Sequence, residues 1–175
     1  MKYAAVLVLG FLLSGCGFHP LYAVPNTPGG SMQATLNAIY VEDVPERLGY
    51  QLRNRLIDVL DGKPTAAGAR YHVKLTLTTK SDAIGVQSQT TPNGVTQTAI
   101  TRYNDTIRCD YELTDAASGA VLAKGVETGL SAYNVLTSPY ATLAVQQDAD
   151  RRAAEDIADR IRIDLAVWFA QQAKK

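Results

Sequence analysis

Two stretches of strict alternation constrain this chain more than any other feature. Tyr71, Val73, Leu75 and Leu77 alternate with His72, Lys74, Thr76 and Thr78. Farther on, Tyr103, Ile107, Cys109, Tyr111 and Leu113 stand in one phase and Arg102, Asn104, Thr106, Arg108, Asp110 and Glu112 in the other. A period of two sends successive side chains to opposite faces, so each stretch predicts a strand with one apolar and one polar side. A sheet of such strands needs cover on one face only. Asp115-Ala116-Ala117-Ser118-Gly119 reads as a turn, and Val121 to Tyr133 as a third strand running antiparallel to the second.

Two helical repeats supply the cover. After Pro45, Leu48, Leu52, Leu56 and Val59/Leu60 recur at steps of three and four, with Arg47, Arg53, Arg55 and Asp58 on other faces, until Gly62 and Pro64 end the pattern. From about Thr142 to Gln172, Ala149, Ala153, Ile157, Ile161, Leu165 and Trp168/Phe169 form one stripe. Arg151–Glu155, Arg152–Asp156, Asp156–Arg160 and Arg160–Asp164 are spaced for ion pairs on its solvated side. The mixed charge differs from the Lys/Arg excess of a helix lying on a membrane. A short apolar run, Thr35 to Val41, is expected as a first strand, and residues 81–97 as a long connection or frayed hairpin end. The order β-α-β-β-β-α predicts an α+β fold, a four-stranded and mainly antiparallel sheet with two helices packed on one face.

The N-terminus predicts processing instead of structure. Lys2 precedes an apolar segment, Ala4 to Leu13, and Leu13-Ser14-Gly15-Cys16 resembles a bacterial lipobox. In that motif small residues admit the peptidase, and the Cys16 sulfur is the nucleophile that accepts diacylglycerol. Residues 1–15 are therefore expected as a signal peptide, 16–33 as a lipidated tether and 34–172 as the single domain. Lipoproteins end with several acyl chains, and at about 0.8 kcal/mol per buried methylene more than one chain anchors stably. The resemblance to lipoproteins also implies the outer membrane, since Gly17 and not an Asp follows Cys16. The apolar run from Tyr3 to Leu13 is too short to span a bilayer as a helix. Residues 17–31 hold three Pro and three Gly without periodicity, and their reach when extended is roughly 50 Å. Phe18, Leu21 and Tyr22 leave open whether the tether is free or pinned to a bilayer or a partner.

Charge and reactive residues narrow the function classes. Seventeen basic residues balance 17 acidic ones, which lacks the electrostatic footprint of a nucleic-acid binder. Removing residues 1–15 takes away one lysine and leaves the chain at −1. Two distant cysteines make neither a zinc site of the paired-Cys kind nor a disulfide framework, and no metal motif is present, so no metal is expected. With Cys16 lipidated, Cys109 has no partner and is expected as a buried core thiol beside Ile107 and Tyr111. His19 in the tether and His72 on a polar strand face lie in no catalytic motif, so no catalytic residue is assigned.

The start Cys16-Gly17-Phe18-His19-Pro20-Leu21-Tyr22, followed by this element order, resembles the lipopolysaccharide-assembly lipoprotein family LptE in its alphaproteobacterial form. That resemblance implies a non-enzymatic, lipid-anchored plug, without a cofactor, in the lumen of the outer-membrane β-barrel LptD, in a one-to-one complex that inserts lipopolysaccharide into the outer leaflet. A barrel lumen is polar, and a polar sheet face suits it. The same face, from alternation alone, is either merely solvated or a docking surface for glycolipid phosphate. Lys74, Arg102, Arg108 and Lys124 are the candidates for binding lipopolysaccharide, through charge-assisted hydrogen bonds. The enterobacterial branch lacks the Pro-Leu-Tyr start, so its contact residues do not transfer. Two alternatives remain. A periplasmic lipid carrier acting without a barrel would need a large apolar pocket, whereas Leu75, Leu77, Ile107, Leu113, Ile157, Ile161 and Leu165 suffice only to fill a core. An envelope hydrolase would need a cleft with a perturbed His or carboxylate.

Overall fold

The computed structural model describes residues 32–62 and 65–173. The expected signal peptide, Cys16 and most of the expected tether lie outside them. The elements run α1 (Met32–Asn37), β1 (Ile39–Val41), α2 (Glu46–Leu60), a 3-10 turn (Ala66–Gly68), β2 (Tyr71–Thr90), β3 (Thr96–Asp115), β4 (Val121–Asn134) and α3 (Pro139–Gln172). They form an α+β fold whose sheet has the order β1-β2-β3-β4. β1 pairs parallel to β2, and the other two pairings are antiparallel.

The apolar phase of each strand faces the two long helices. Val73, Ile107, Cys109 and Leu113 are fully enclosed, together with Leu52, Leu56 and Leu60 of α2 and Ile157, Ile161 and Leu165 of α3. Alanines 153, 154, 158 and 166 keep the α3 stripe narrow enough to lie close to the sheet. Closest approach depends on Gly129 of β4, because a Cβ there would stand 2.9 Å from Ile157 Cδ1 and 3.1 Å from the Ala153 carbonyl. Gly125 works differently. Its missing side chain lets the Tyr111 ring cross β4, so that the phenol donates to Asp164 of α3 at 3.0 Å. Tyr71 and Phe169 close one end of the core with ring centroids 5.1 Å apart.

Arginines tie α2 to its surroundings. Arg53 Nε donates to the carbonyls of Val41 and Glu42, both at 3.2 Å, satisfying the end of β1. Arg55 grips Asp159 through two hydrogen bonds of 3.1 and 3.0 Å, and Arg162 reaches back to the Val59 carbonyl. α2 ends where Asp61 adopts the left-handed conformation, φ 52°, and donates to the Asp58 carbonyl. α3 starts at Ser138, whose hydroxyl caps the Ala141 amide ahead of Pro139.

Three expectations need correction. Thr35 to Val41 is not one strand, since Met32–Asn37 is helical and only Ile39–Val41 joins the sheet. Leu36 and Ile39 are both buried, and their odd separation would put them on opposite faces of any single strand. Of the two readings of residues 81–97, the structure shows a hairpin end and not a long connection, but it is paired instead of frayed. β2 and β3 stay paired out to Thr90 opposite Thr96, with a register shift at Gly85 and a turn in which Gly94 takes φ 76°. β4 joins only from Arg102 onward, so residues 83–101 project as a two-stranded ribbon without a charged residue. Finally, Arg151 pairs with Glu155 and Arg160 with Asp156 as their spacing predicts, but Arg152 turns back to Asp148 at 3.2 Å instead of Asp156, and Arg160 stands near Glu127 instead of Asp164.

Cys109 is the buried thiol expected. Burial, aided by Asp110 and Glu127, pushes its pKa from 9.0 up to about 12. Three units make the thiolate roughly a thousandfold scarcer at pH 8. A thiol reagent at that pH is expected to label Cys109 only at the rate of unfolding and faster in urea; labelling of the native protein within minutes would contradict its placement.

Candidate functional site

The sheet face turned away from the helices carries the polar phase of three strands. Register sets it out in rows: Lys74, Glu112 and Lys124; then Thr76, Asp110 and Val126; then Thr78, Arg108 and Thr128. Thus Lys74, Arg108 and Lys124 share one surface. Beside them lies a groove of about 490 Å³ whose lining includes Lys74, Thr76, Asp110 and Lys124.

The cations there are unequally committed. Lys124 Nζ stands 2.7 Å from Glu112, and Arg108 holds Asp110 by hydrogen bonds of 3.0 and 2.7 Å. The Arg108 guanidinium keeps the Asp110 carboxyl below its ordinary pKa, and the bond in turn raises Arg108. Lys74 makes no ion pair among the described residues. Within these three rows three cations face two carboxylates, and Glu42 lines a neighbouring cavity with Lys74 and Thr76.

Arg102 is separated from the other three. It lies six residues from Arg108 along β3, roughly 20 Å at strand rise, and ten from the Glu112 row, opposite Asn134 where the ribbon leaves the sheet. Arg102 is exposed and also free of ion pairs among the described residues. His72 sits 4.0 Å from Glu42 and stacks obliquely on Tyr40.

A second polar group was hidden within the alternation. Asp105 occupies the apolar phase of β3 and is almost fully buried, accepting a hydrogen bond from Ser81. Next to it on β4, buried Ser131 donates to Asp150 of α3 at 2.7 Å, and Arg47 of α2 reaches the same carboxylate at 3.2 Å. The signal was available, because Asp105 stands between Tyr103 and Ile107 in their own phase. This cluster fastens the sheet to both helices where the core ends. Among the described residues no group of three or more His, Cys, Asp or Glu is placed to hold a metal.

The chain resembles proteins already known. The model of the LptE family, described as lipopolysaccharide-assembly, matches residues 36–165. The chain belongs to the LptE family. LptE membership makes it a lipopolysaccharide-assembly lipoprotein, with the region matched running from α1 to the last turns of α3. A candidate lipoprotein from Caulobacter crescentus CB15 is 32% identical, with TM-score 0.62 over 79% of this LptE chain and 96% of that one. An uncharacterized protein of Rickettsia prowazekii is 26% identical over 98% of this chain and 100% of its own length. Rare lipoprotein B from Shewanella oneidensis, at 14% identity and TM-score 0.52, covers 77% of this chain and 96% of its own and shares the LptE fold.

Proposed function

We propose that this LptE-family chain is anchored in the outer membrane through lipid on Cys16, plugs the β-barrel LptD in a one-to-one complex, and helps deliver lipopolysaccharide to the outer leaflet. The role is non-enzymatic. The family match over residues 36–165 carries this reading. The sheet face supports it physically, since side chains such as Lys74, Thr76, Thr78 and Arg108 offer hydrogen bonds to a polar lumen wall. Lipopolysaccharide carries phosphates, and Lys74, Arg102, Arg108 and Lys124 are the cations proposed to meet them.

Their ion pairs rank the four. Arg108 and Lys124 must share charge with Asp110 and Glu112, whereas Lys74 and Arg102 are free to bind. Replacing all four by Ala is expected to weaken lipopolysaccharide binding at least about tenfold, a loss of roughly 1.4 kcal/mol. The K74A/R102A pair is expected to account for most of that loss. Unchanged binding by the quadruple variant, measured by titration of the purified protein, would remove these residues from the account.

A further inference from the structure

A cleft at the ribbon end of the domain combines charge and apolar surface in a way the sheet face does not. The first three turns of α3 stand off from the end of β4 there, leaving about 540 Å³. Leu136, Ala144 and Val145 give it apolar walls, and Arg102 and Arg152 line it as well. Leu136 is 42% exposed and Val145 37%, and exposed Val135, Leu143 and Tyr140 lie close by in sequence. Isolated apolar residues on a surface are ordinary, but a contiguous apolar patch is a binding site or a liability.

The charges select among occupants. Asp148 also lines the cleft, but it is held by Arg151 at 2.7 Å and by Arg152 at 3.2 Å. Arg102 has no such partner among the described residues, so the cleft keeps one net positive charge, centred on Arg102, while Arg152 shares its charge with Asp148. A small anion would have no use for the apolar walls, and a neutral acyl chain none for two guanidiniums. An amphiphile with a phosphate beside an acyl chain uses both, since the guanidinium fork matches phosphate oxygens. A concave apolar site with a few convergent polar groups is also the usual form of a ligand pocket.

We propose that this cleft holds an acyl chain of lipopolysaccharide, with the adjoining sugar phosphate against Arg102 and Arg152. The proposal rests on the reading that the chain meets lipopolysaccharide, and it adds a place and an orientation. Arg102, remote from the other three cations, then belongs to a second contact at the ribbon base.

The test places a photo-cross-linking p-benzoylphenylalanine at Leu136, and separately at Ala144 and at Lys74, in the full chain in its own membrane. Irradiated adducts are probed with an antibody to lipopolysaccharide. The expected result is a lipopolysaccharide adduct at Leu136 or Ala144 that falls at least about fivefold in an R102Q/R152Q background. Running both cleft positions keeps the test informative should one variant fold poorly. Adducts with phospholipid or protein alone at both cleft positions would overturn the proposal. A lipopolysaccharide adduct at Lys74 without one in the cleft would overturn it while sparing the broader function. No lipopolysaccharide adduct at any of the three would overturn direct binding as well.

Discussion

Replacing Ile161 with Ala is expected to cost about 2–5 kcal/mol of folding stability, the range for truncating a fully buried aliphatic side chain. Ile161 is 0% exposed and sits in the middle of the α3 stripe, within the cluster that joins both helices to the sheet. The loss includes the transfer free energy of three carbons and the cavity left behind, which a long helix backed by the whole sheet cannot collapse to fill. A change on the ribbon provides contrast. Thr98→Ala, exposed and outside the core, is expected to stay within about 0.5 kcal/mol. Urea unfolding of both variants should show a lower midpoint for I161A with an unchanged slope. A loss below about 1 kcal/mol for I161A would mean that α3 is not packed as described.

The second large effect concerns Cys16, which lies outside the described residues. C16S is expected to abolish acyl incorporation altogether, because a serine hydroxyl does not replace the thiolate that takes up diacylglycerol. Residues 1–15 should then remain attached, since cleavage in this class follows lipidation. Labelling with a radioactive fatty acid and measuring intact mass together test this. Retained label, or a mature mass without label, would contradict the anchor.

Much of the fold was legible because one-sided burial writes itself into sequence. Tyr71 to Leu77, Ile107 to Leu113 and the stripe from Ala149 to Phe169 alternate or repeat because one side of each touches the core. The ribbon had no such cause to repeat. Ile84, Val86, Val95 and Ile100 are all exposed, neither ribbon face is covered by another of the described elements, and the pairing of 83–101 is held by backbone hydrogen bonds that any sequence can make. α1 was misread because six residues are too few to show a helical period, and Ile39–Val41 supplied a genuine strand beside it.

The candidate site was legible in membership and illegible in arrangement. Alternation placed Lys74, Arg102 and Arg108 on one polar face, but only the register brings Lys124 onto that face, against Glu112. Sequence treated Arg102 as a fourth equivalent cation, whereas ten residues of extended strand separate it from the Glu112 row. The cleft beside it joins residues from β3, β4, the following loop and α3, and no local pattern announces a meeting of that kind.

The most direct measurement is affinity purification of the full-length lipoprotein from detergent-solubilised outer membranes, with mass spectrometry of whatever co-elutes stoichiometrically. The account predicts one large β-barrel partner at roughly one-to-one, LptD by peptide identity, retained at high salt as a buried interface would be. A chain that elutes alone, carrying lipid and no barrel, would contradict it and favour a free periplasmic carrier.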